Sequence, residues 1–320
     1  MMNRNAYLLS GAAALMMFCG LLISGTVQGA GSAPAETTDA AVQSATQHAP
    51  IAVSVSELKS QEVTFSDLTL RYRNAKDLHS FLGYARMHPE QGATYYVSEV
   101  LNICAAPVLR EENTLPYSGK YIENYAERAS VFTRMKYACQ SFLKDDLSTA
   151  NDAALSAELA KKDPVQQLRR KSAGVGADKF SGEFLTAYKR EMLENPDPLF
   201  YKMAGRMLAY NRTDTGKDEY WINGQQISTG QPDLYLPMQV AFETIACELG
   251  LACDGTDPKT SLLCVMNNFC IHSADDYVRK IFESSPYYQA TEDRIQRAIQ
   301  WRKQIGAAIL AKDVYFFLPR

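Results

Sequence analysis

The chain has 320 residues, 46% of them hydrophobic and 22% charged, a globular composition with enough apolar material for a core of its own. That excludes a disordered, collagen-like or polytopic membrane protein. Lys and Arg number 33 against 36 Asp and Glu, a formal net charge of −3, which argues against a dedicated nucleic-acid binder because a basic face is missing.

Arg4 is the only charged side chain before Glu36, and an apolar stretch from Tyr7 to Val27 follows it. A basic start, an apolar run and small residues read as a secretory signal, with cleavage expected after Gly29. Left uncleaved, residues 7–27 would anchor the chain in the inner membrane. Either outcome exports everything that follows, because the basic end stays inside. A lipoprotein reading of Cys19 fails, since Met17 and Phe18 precede it where small residues are needed. Residues 30–57 are rich in Ala, Ser, Thr, Pro and Gln and read as a flexible linker. That leaves 58–320 as a helical domain.

From about Ser56 onward helical spacing dominates. Leu78, Phe81, Leu82 and Ala85 recur at i, i+3, i+4 and i+7, and the run stops at His88-Pro89. Val97, Val100, Leu101 and Cys104 repeat the pattern up to Pro107, so residues 74–106 read as an αα-hairpin. A helix over 120–143 carries a stripe at Ile122, Tyr125, Ala129, Phe132, Met135, Cys139 and Phe142. Asn151 can cap the next helix, which ends near Asp163-Pro164; another follows, and Gly174 and Gly176 make a loop. Phe184, Leu185, Tyr188 and Met192 mark a further helix, and Asp197-Pro198 starts its successor as an N-cap with proline at the first helical position. Residues 220–227 read as a short β-hairpin, because Asn223-Gly224 suits a type I′ turn. Helices are expected again over 233–250, 259–269 and 274–284, the last with Ser273 and Asp276 as a capping box. Thr291 opens a final long helix, and the apolar tail 314–318 is expected to pack back on the body. The fold class is therefore all-α, either stacked hairpins forming a degenerate solenoid or an irregular helical bundle.

Beyond Cys19, six cysteines remain: Cys104, Cys139, Cys247, Cys253, Cys264 and Cys270. An even number in an exported chain reads as disulfides, and zinc sites usually use closer spacings. The last four follow C-x5-C-x10-C-x5-C, symmetric about the Asp254–Pro258 turn. In an antiparallel helical hairpin that symmetry favours nested pairs, Cys247–Cys270 and Cys253–Cys264, with parallel pairing as the rival. A hairpin over 233–270 would then be stapled helix to helix. Cys104 and Cys139 pair by elimination.

Three segments carry a resemblance: the hairpin 75–104, the helix end Tyr137-Ala138-Cys139, and the block from Ala246 to Cys253 with Leu262 to Cys270. Together they resemble a group of uncharacterised secreted gammaproteobacterial proteins with degenerate Sel1- or TPR-like helices, over about residues 60–305. The resemblance implies a helical fold and an exported location, and it brings no activity with it.

The search for chemistry is largely negative. His48, His79, His88 and His272 lack metal-ligand spacing and read as surface or capping residues. No P-loop, G-x-S-x-G, G-x-G-x-x-G or C-x-x-C motif occurs. One enzyme class can be weighed, the lytic transglycosylases with their helix-borne catalytic glutamate. Pro237-Met238-Gln239 and Ala209-Tyr210-Asn211 resemble two of that family's motifs, but in reverse order, and the only Glu-Ser dipeptide, Glu283-Ser284, follows both. Glu243 and Glu248 are the remaining candidates if burial raises a carboxyl there. Asn211-Arg212-Thr213 fits a glycosylation sequon. Tyr201, Tyr210, Tyr220, Trp221, Tyr287 and Tyr288 could line a recognition surface. The sequence thus points to an exported, periplasmic or secreted, non-catalytic interaction or scaffold protein of the cell envelope, with an envelope protein as partner. No cofactor, metal or nucleic acid is expected, and membrane contact only through an uncleaved N-terminal segment. The alternative is a peptidoglycan hydrolase using Glu243.

Overall fold

Short polar side chains set the helix starts. Ser66 Oγ accepts the Thr69 N–H and opens α1 (Asp67–Asn74), and Asp77 does the same for α2 (Leu78–Met87) through His79 and Ser80, each satisfying amides that a helix start leaves bare. The computed structural model describes residues 66–109, 124–147, 157–173, 182–212, 217–284 and 286–319, all within the unit Ser60–Arg320. The expected signal, the linker, Ile122, the Asn151 cap and the Gly174–Gly176 loop lie outside the described residues.

The hairpin read from the sequence is present. α2 buries Leu78, Phe81, Leu82 and Ala85, and a 3-10 turn at Pro89–Gln91 with Gly92 at φ 85° leads into α3 (Ala93–Leu109). α3 runs through Pro107 rather than ending before it, because a proline in the last turn forfeits only one amide donor. α4 (Tyr125–Ala138) buries Val131, Phe132 and Met135, but two positions differ from the expected stripe. Tyr125 is exposed, and Arg128 is fully buried. The Arg128 guanidinium donates to Cys264 O at 3.3 Å and Val265 O at 2.7 Å, carbonyls at the end of a distant helix, where a cation meets the negative end of the helix dipole.

Asp163 and Asp197 both precede prolines and cap α5 (Pro164–Ala173) and α7 (Pro198–Ala204). Between them lies α6 (Gly182–Leu193), and α8 (Arg206–Ala209) follows. The expected β-hairpin is β2 (Asp218–Ile222) and β3 (Gln225–Ile227), with Asn223 and Gly224 at φ 50° and 76°. A third strand, β1 (Tyr210–Arg212), adds to its edge in antiparallel register, Tyr210 opposite Tyr220. The expected helix over 233–250 breaks into α9 (Pro232–Glu243) and α10 (Ile245–Glu248). At the break Thr244 Oγ1 turns back on Val240 O at 2.8 Å, a bond that competes with helix continuation. α11 (Pro258–Asn267), α12 (Ala274–Ser284) and α13 (Glu292–Leu310) follow, and the tail coils into a 3-10 turn at Val314–Phe317 with Phe317 buried.

Elements remote in sequence pack together: α4 lies against α11, and α9 runs along α13. A solenoid would pair each unit with its neighbours alone, so the fold is an irregular, mostly helical bundle with one small sheet. Arg302 on α13 fixes the far side. Although almost fully buried, it donates to Glu248 Oε1 at 2.8 Å and also reaches Asp275 and Ala274 O.

Three cystines brace this arrangement. Cys104–Cys139 ties α3 to the end of α4 with Cα atoms 5.4 Å apart, as expected. The nested pairing and its parallel rival are both wrong: Cys247 pairs with Cys253 and Cys264 with Cys270, at Cα separations of 5.6 and 4.1 Å. The spacing that reads as a reflection is equally a repeat by translation, and the repeat is what the chain uses. In each copy the first cysteine lies in a helix, the chain turns through a left-handed residue (Gly250 at φ 94°, Asn268 at φ 61°), and the second cysteine returns to the same helix end. Leu251 N–H bonds Ala246 O at 2.9 Å and Phe269 N–H bonds Leu263 O at 3.2 Å, closing both C-termini in Schellman-like fashion. The 233–270 segment is therefore stapled at each helix end, not helix to helix.

Candidate functional site

Seven elements contribute to one polar crevice. Tyr72 comes from α1, Glu99 from α3, Lys202 from α7, Glu243 from α9, Asp257 and Lys259 from the start of α11, and Tyr277 from α12, with the Cys247–Cys253 staple forming one wall. It encloses about 340 Å³ including its open mouth, but its interior admits little more than a water molecule.

Its charges are largely matched. Glu99 lies 3.7 Å from Lys202 Nζ and 3.4 Å from Lys259 Nζ. Burial alone would raise the Glu99 carboxyl, yet the two ammonium groups outweigh it and hold it below the usual range. Lys202 answers in kind: burial opposes its charge, and Glu99 above all restores it. Asp257 accepts the Lys259 and Thr260 N–H groups at 2.9 and 3.1 Å as the N-cap of α11, while burial pushes it up to about 6. Burial also raises Glu243, partly offset by Lys202 and Lys259. Glu243 nevertheless presents much of its surface to solvent at the mouth, so burial weakens its acidity without isolating it. Tyr277 is pushed up to about 12 by burial. Two buried oxygens in the crevice, Tyr72 Oη and Glu99 Oε1, have no hydrogen-bond partner.

Of the catalytic and histidine candidates among the described residues, the structure brings Glu243 alone to this crevice. Glu248 is bound to the buried Arg302. Glu283 pairs with Lys280 at 3.3 Å, and Ser284 caps back on Ile281 O. His79 stands edge-on to Phe142 and 3.7 Å from Asp146, His88 lies 3.0 Å from Glu90, and His272 lies 3.8 Å from Glu127; His48 is outside the described residues. The sequon fails on geometry: Asn211 is buried in β1, donating to Ala209 O and accepting from Lys189, so no glycan could reach it. Of the proposed recognition aromatics, Tyr201 and Tyr220 are core residues, and Tyr210, Trp221 and Tyr288 are half-buried. Tyr287 alone is widely exposed, at 87%.

Sequence reasoning missed Glu99, Lys202 and Asp257, which are brought together only by the tertiary fold. A weak signal existed for Asp257, an aspartate directly before a proline. It also missed Lys189, a fully buried amine that donates to Asn211 Oδ1 at 3.1 Å and Phe317 O at 2.8 Å, and whose burial lowers it to about 7.

The three cystines are compatible with an oxidising compartment outside the cytoplasm, and no described helix is long and apolar enough to cross a membrane. No protein-family model, curated protein or solved structure matches the chain.

Proposed function

We propose that this chain is an exported, non-catalytic interaction or scaffold protein of the cell envelope, periplasmic or secreted, whose cystines harden a helical body against an oxidising environment. The observation that carries this reading is the state of the crevice. Glu99 is bridged by two lysines, Asp257 is engaged as a helix cap, and the enclosed interior between them is too narrow for a sugar ring. Outside it the helical surface offers exposed anchors such as Tyr137, Tyr287 and Tyr315, the residue type favoured at binding hot spots.

A peptidoglycan hydrolase is the second reading, favoured by the raised carboxyl of Glu243 at the crevice mouth. One experiment separates the two. The oxidised protein is incubated with purified peptidoglycan, and in parallel a photo-crosslinking residue at Tyr137, Tyr287 or Tyr315 is activated in intact envelopes. The scaffold reading expects no released muropeptides and a discrete crosslinked partner. Muropeptide release by the wild type that disappears in Glu243→Gln would overturn it.

A further inference from the structure

The Cys264–Cys270 staple has neighbours that the Cys247–Cys253 staple lacks. A Glu127 carboxylate oxygen and both sulfurs lie within 4.8 Å of one another, the one such cluster among the described residues. His272 Nδ1 lies 3.8 Å from Glu127 Oε1. α4 supplies Glu127, and the segment leaving α11 supplies Cys270 and, two residues on, His272. The sulfurs belong to buried residues, whereas Glu127 and His272 are exposed, so the cluster opens to solvent on its carboxylate and imidazole side.

From this juxtaposition we infer that Cys264, Cys270, His272 and Glu127 form, when the disulfide is reduced, a four-ligand site for a thiophilic divalent cation of the zinc type. Thiolate, imidazole and carboxylate are each donors that such ions take, four to a tetrahedral site. The oxidised form described here cannot bind in this way, because its sulfurs are joined. A dithiol reductant transfers two electrons and two protons to the S–S bond and becomes a disulfide itself. The two cysteine thiols then release their protons to solvent as the cation binds. Cys270 lies beyond the end of α11 in an irregular segment, which lets the sulfurs part.

The charge balance agrees. Arg128, adjacent to Glu127, sets one positive charge against the Cys264 and Val265 carbonyls at the end of α11. Two thiolates and the Glu127 carboxylate against that one guanidinium leave two unbalanced negative charges, which a divalent cation neutralises. The site is separate from the crevice: it lies at the cystine that closes the C-terminal end of α11 and forms only where that cystine meets a dithiol reductant.

The test uses the full chain, reduced with a phosphine and titrated with Co²⁺ as a spectroscopic substitute for zinc, with circular dichroism recorded alongside. One equivalent of Co²⁺ should produce sulfur-to-cobalt charge-transfer and tetrahedral d–d bands, both absent before reduction. The bands should persist in the Cys247→Ser/Cys253→Ser double variant. His272→Ala and Glu127→Gln should each weaken binding by at least about tenfold while leaving the oxidised protein's dichroism unchanged. A reduced wild type that gives no thiolate band, whether folded or unfolded, would overturn the inference. So would bands of undiminished affinity in both the His272 and Glu127 variants.

Discussion

The Tyr96 hydroxyl donates to Asp197 Oδ1 across 3.0 Å, although 101 residues separate them in sequence. The same oxygen accepts the Leu199 and Phe200 N–H groups, and Tyr96 also meets Thr69 Oγ1 at 2.8 Å. One buried carboxyl therefore caps α7 and ties it to α1 and α3. Burial is the largest influence on Asp197 and, against these hydrogen bonds, pushes it up to about 6.

That shift sets a pH dependence. A carboxyl whose folded pKa lies above its unfolded value contributes stability that is complete below the unfolded pKa and is lost as pH rises through the folded one. For Asp197 the window runs from 3.8 to about 6, with a loss on the order of 3 kcal/mol. Asp197→Asn keeps the capping oxygen and removes the charge. Its unfolding free energy should fall less steeply than the wild type's across this window, and at neutral pH it should equal or exceed the wild type's. Denaturant melts over a pH series measure this, and an Asn variant as unstable as Asp197→Ala at every pH would contradict it.

Lys189 works in the opposite direction. Its folded pKa is lowered to about 7 from 10.5, so above about 7 the unfolded chain holds the extra proton and stability rises with pH. Between about pH 7 and pH 9 the gain should be about 2–3 kcal/mol. Lys189→Met should remove this rise, and a wild type whose stability is flat or falling over that range relative to the Met variant would refute the assignment.

Loop size ranks the cystines. Cys104–Cys139 spans 35 residues and each local staple spans 6, so chain entropy gives about 4 kcal/mol for the long bridge and about 2 for each short one. Cys104→Ser/Cys139→Ser should therefore lower the melting temperature more than Cys247→Ser/Cys253→Ser. The reverse order in calorimetry would show that strain or unfolded-state structure, not loop closure, governs these bridges.

Gly306 lies where α13 passes close to α10. A Cβ there would stand 2.7 Å from Glu248 Cβ, and Glu248 cannot easily move because Arg302 holds its carboxylate. Alanine is the better helix former by about 1 kcal/mol, yet Gly306→Ala should destabilise by about 1–3 kcal/mol through overpacking. A stabilised variant in thermal melts would mean that the two helices can part.

Local chemistry was readable from sequence, and long-range chemistry was not. The Asp197-Pro198, Ser273 and Thr291 helix starts and the Asn223-Gly224 turn depend on neighbours a few residues away, and all appear in the fold. β1 escaped because its three residues become a strand only by pairing with β2. Arg128, Lys189 and Arg302 look like surface charges in the sequence, since the groups that satisfy them lie tens of residues away or more. Glu243 could be singled out as a helix-borne carboxylate. Its partners could not, because Glu99, Lys202 and Asp257 meet it only when four different elements pack together. The cysteine pattern was legible as disulfides but not as pairs, since a symmetric spacing fits reflection and translation alike.

The most direct test of a cystine-braced helical body is a non-reducing tryptic map of the oxidised chain. Lys259 lies between the two local staples, and no other Lys or Arg lies between Cys247 and Cys270, so trypsin separates the pairs. The structure predicts two unlinked peptides, each lighter than its reduced form by two hydrogens, and a third species joining the Cys104 and Cys139 peptides. A crosslinked product containing both Cys253 and Cys264 peptides, or free thiols throughout, would contradict the pairing and with it the account of how this protein is held together.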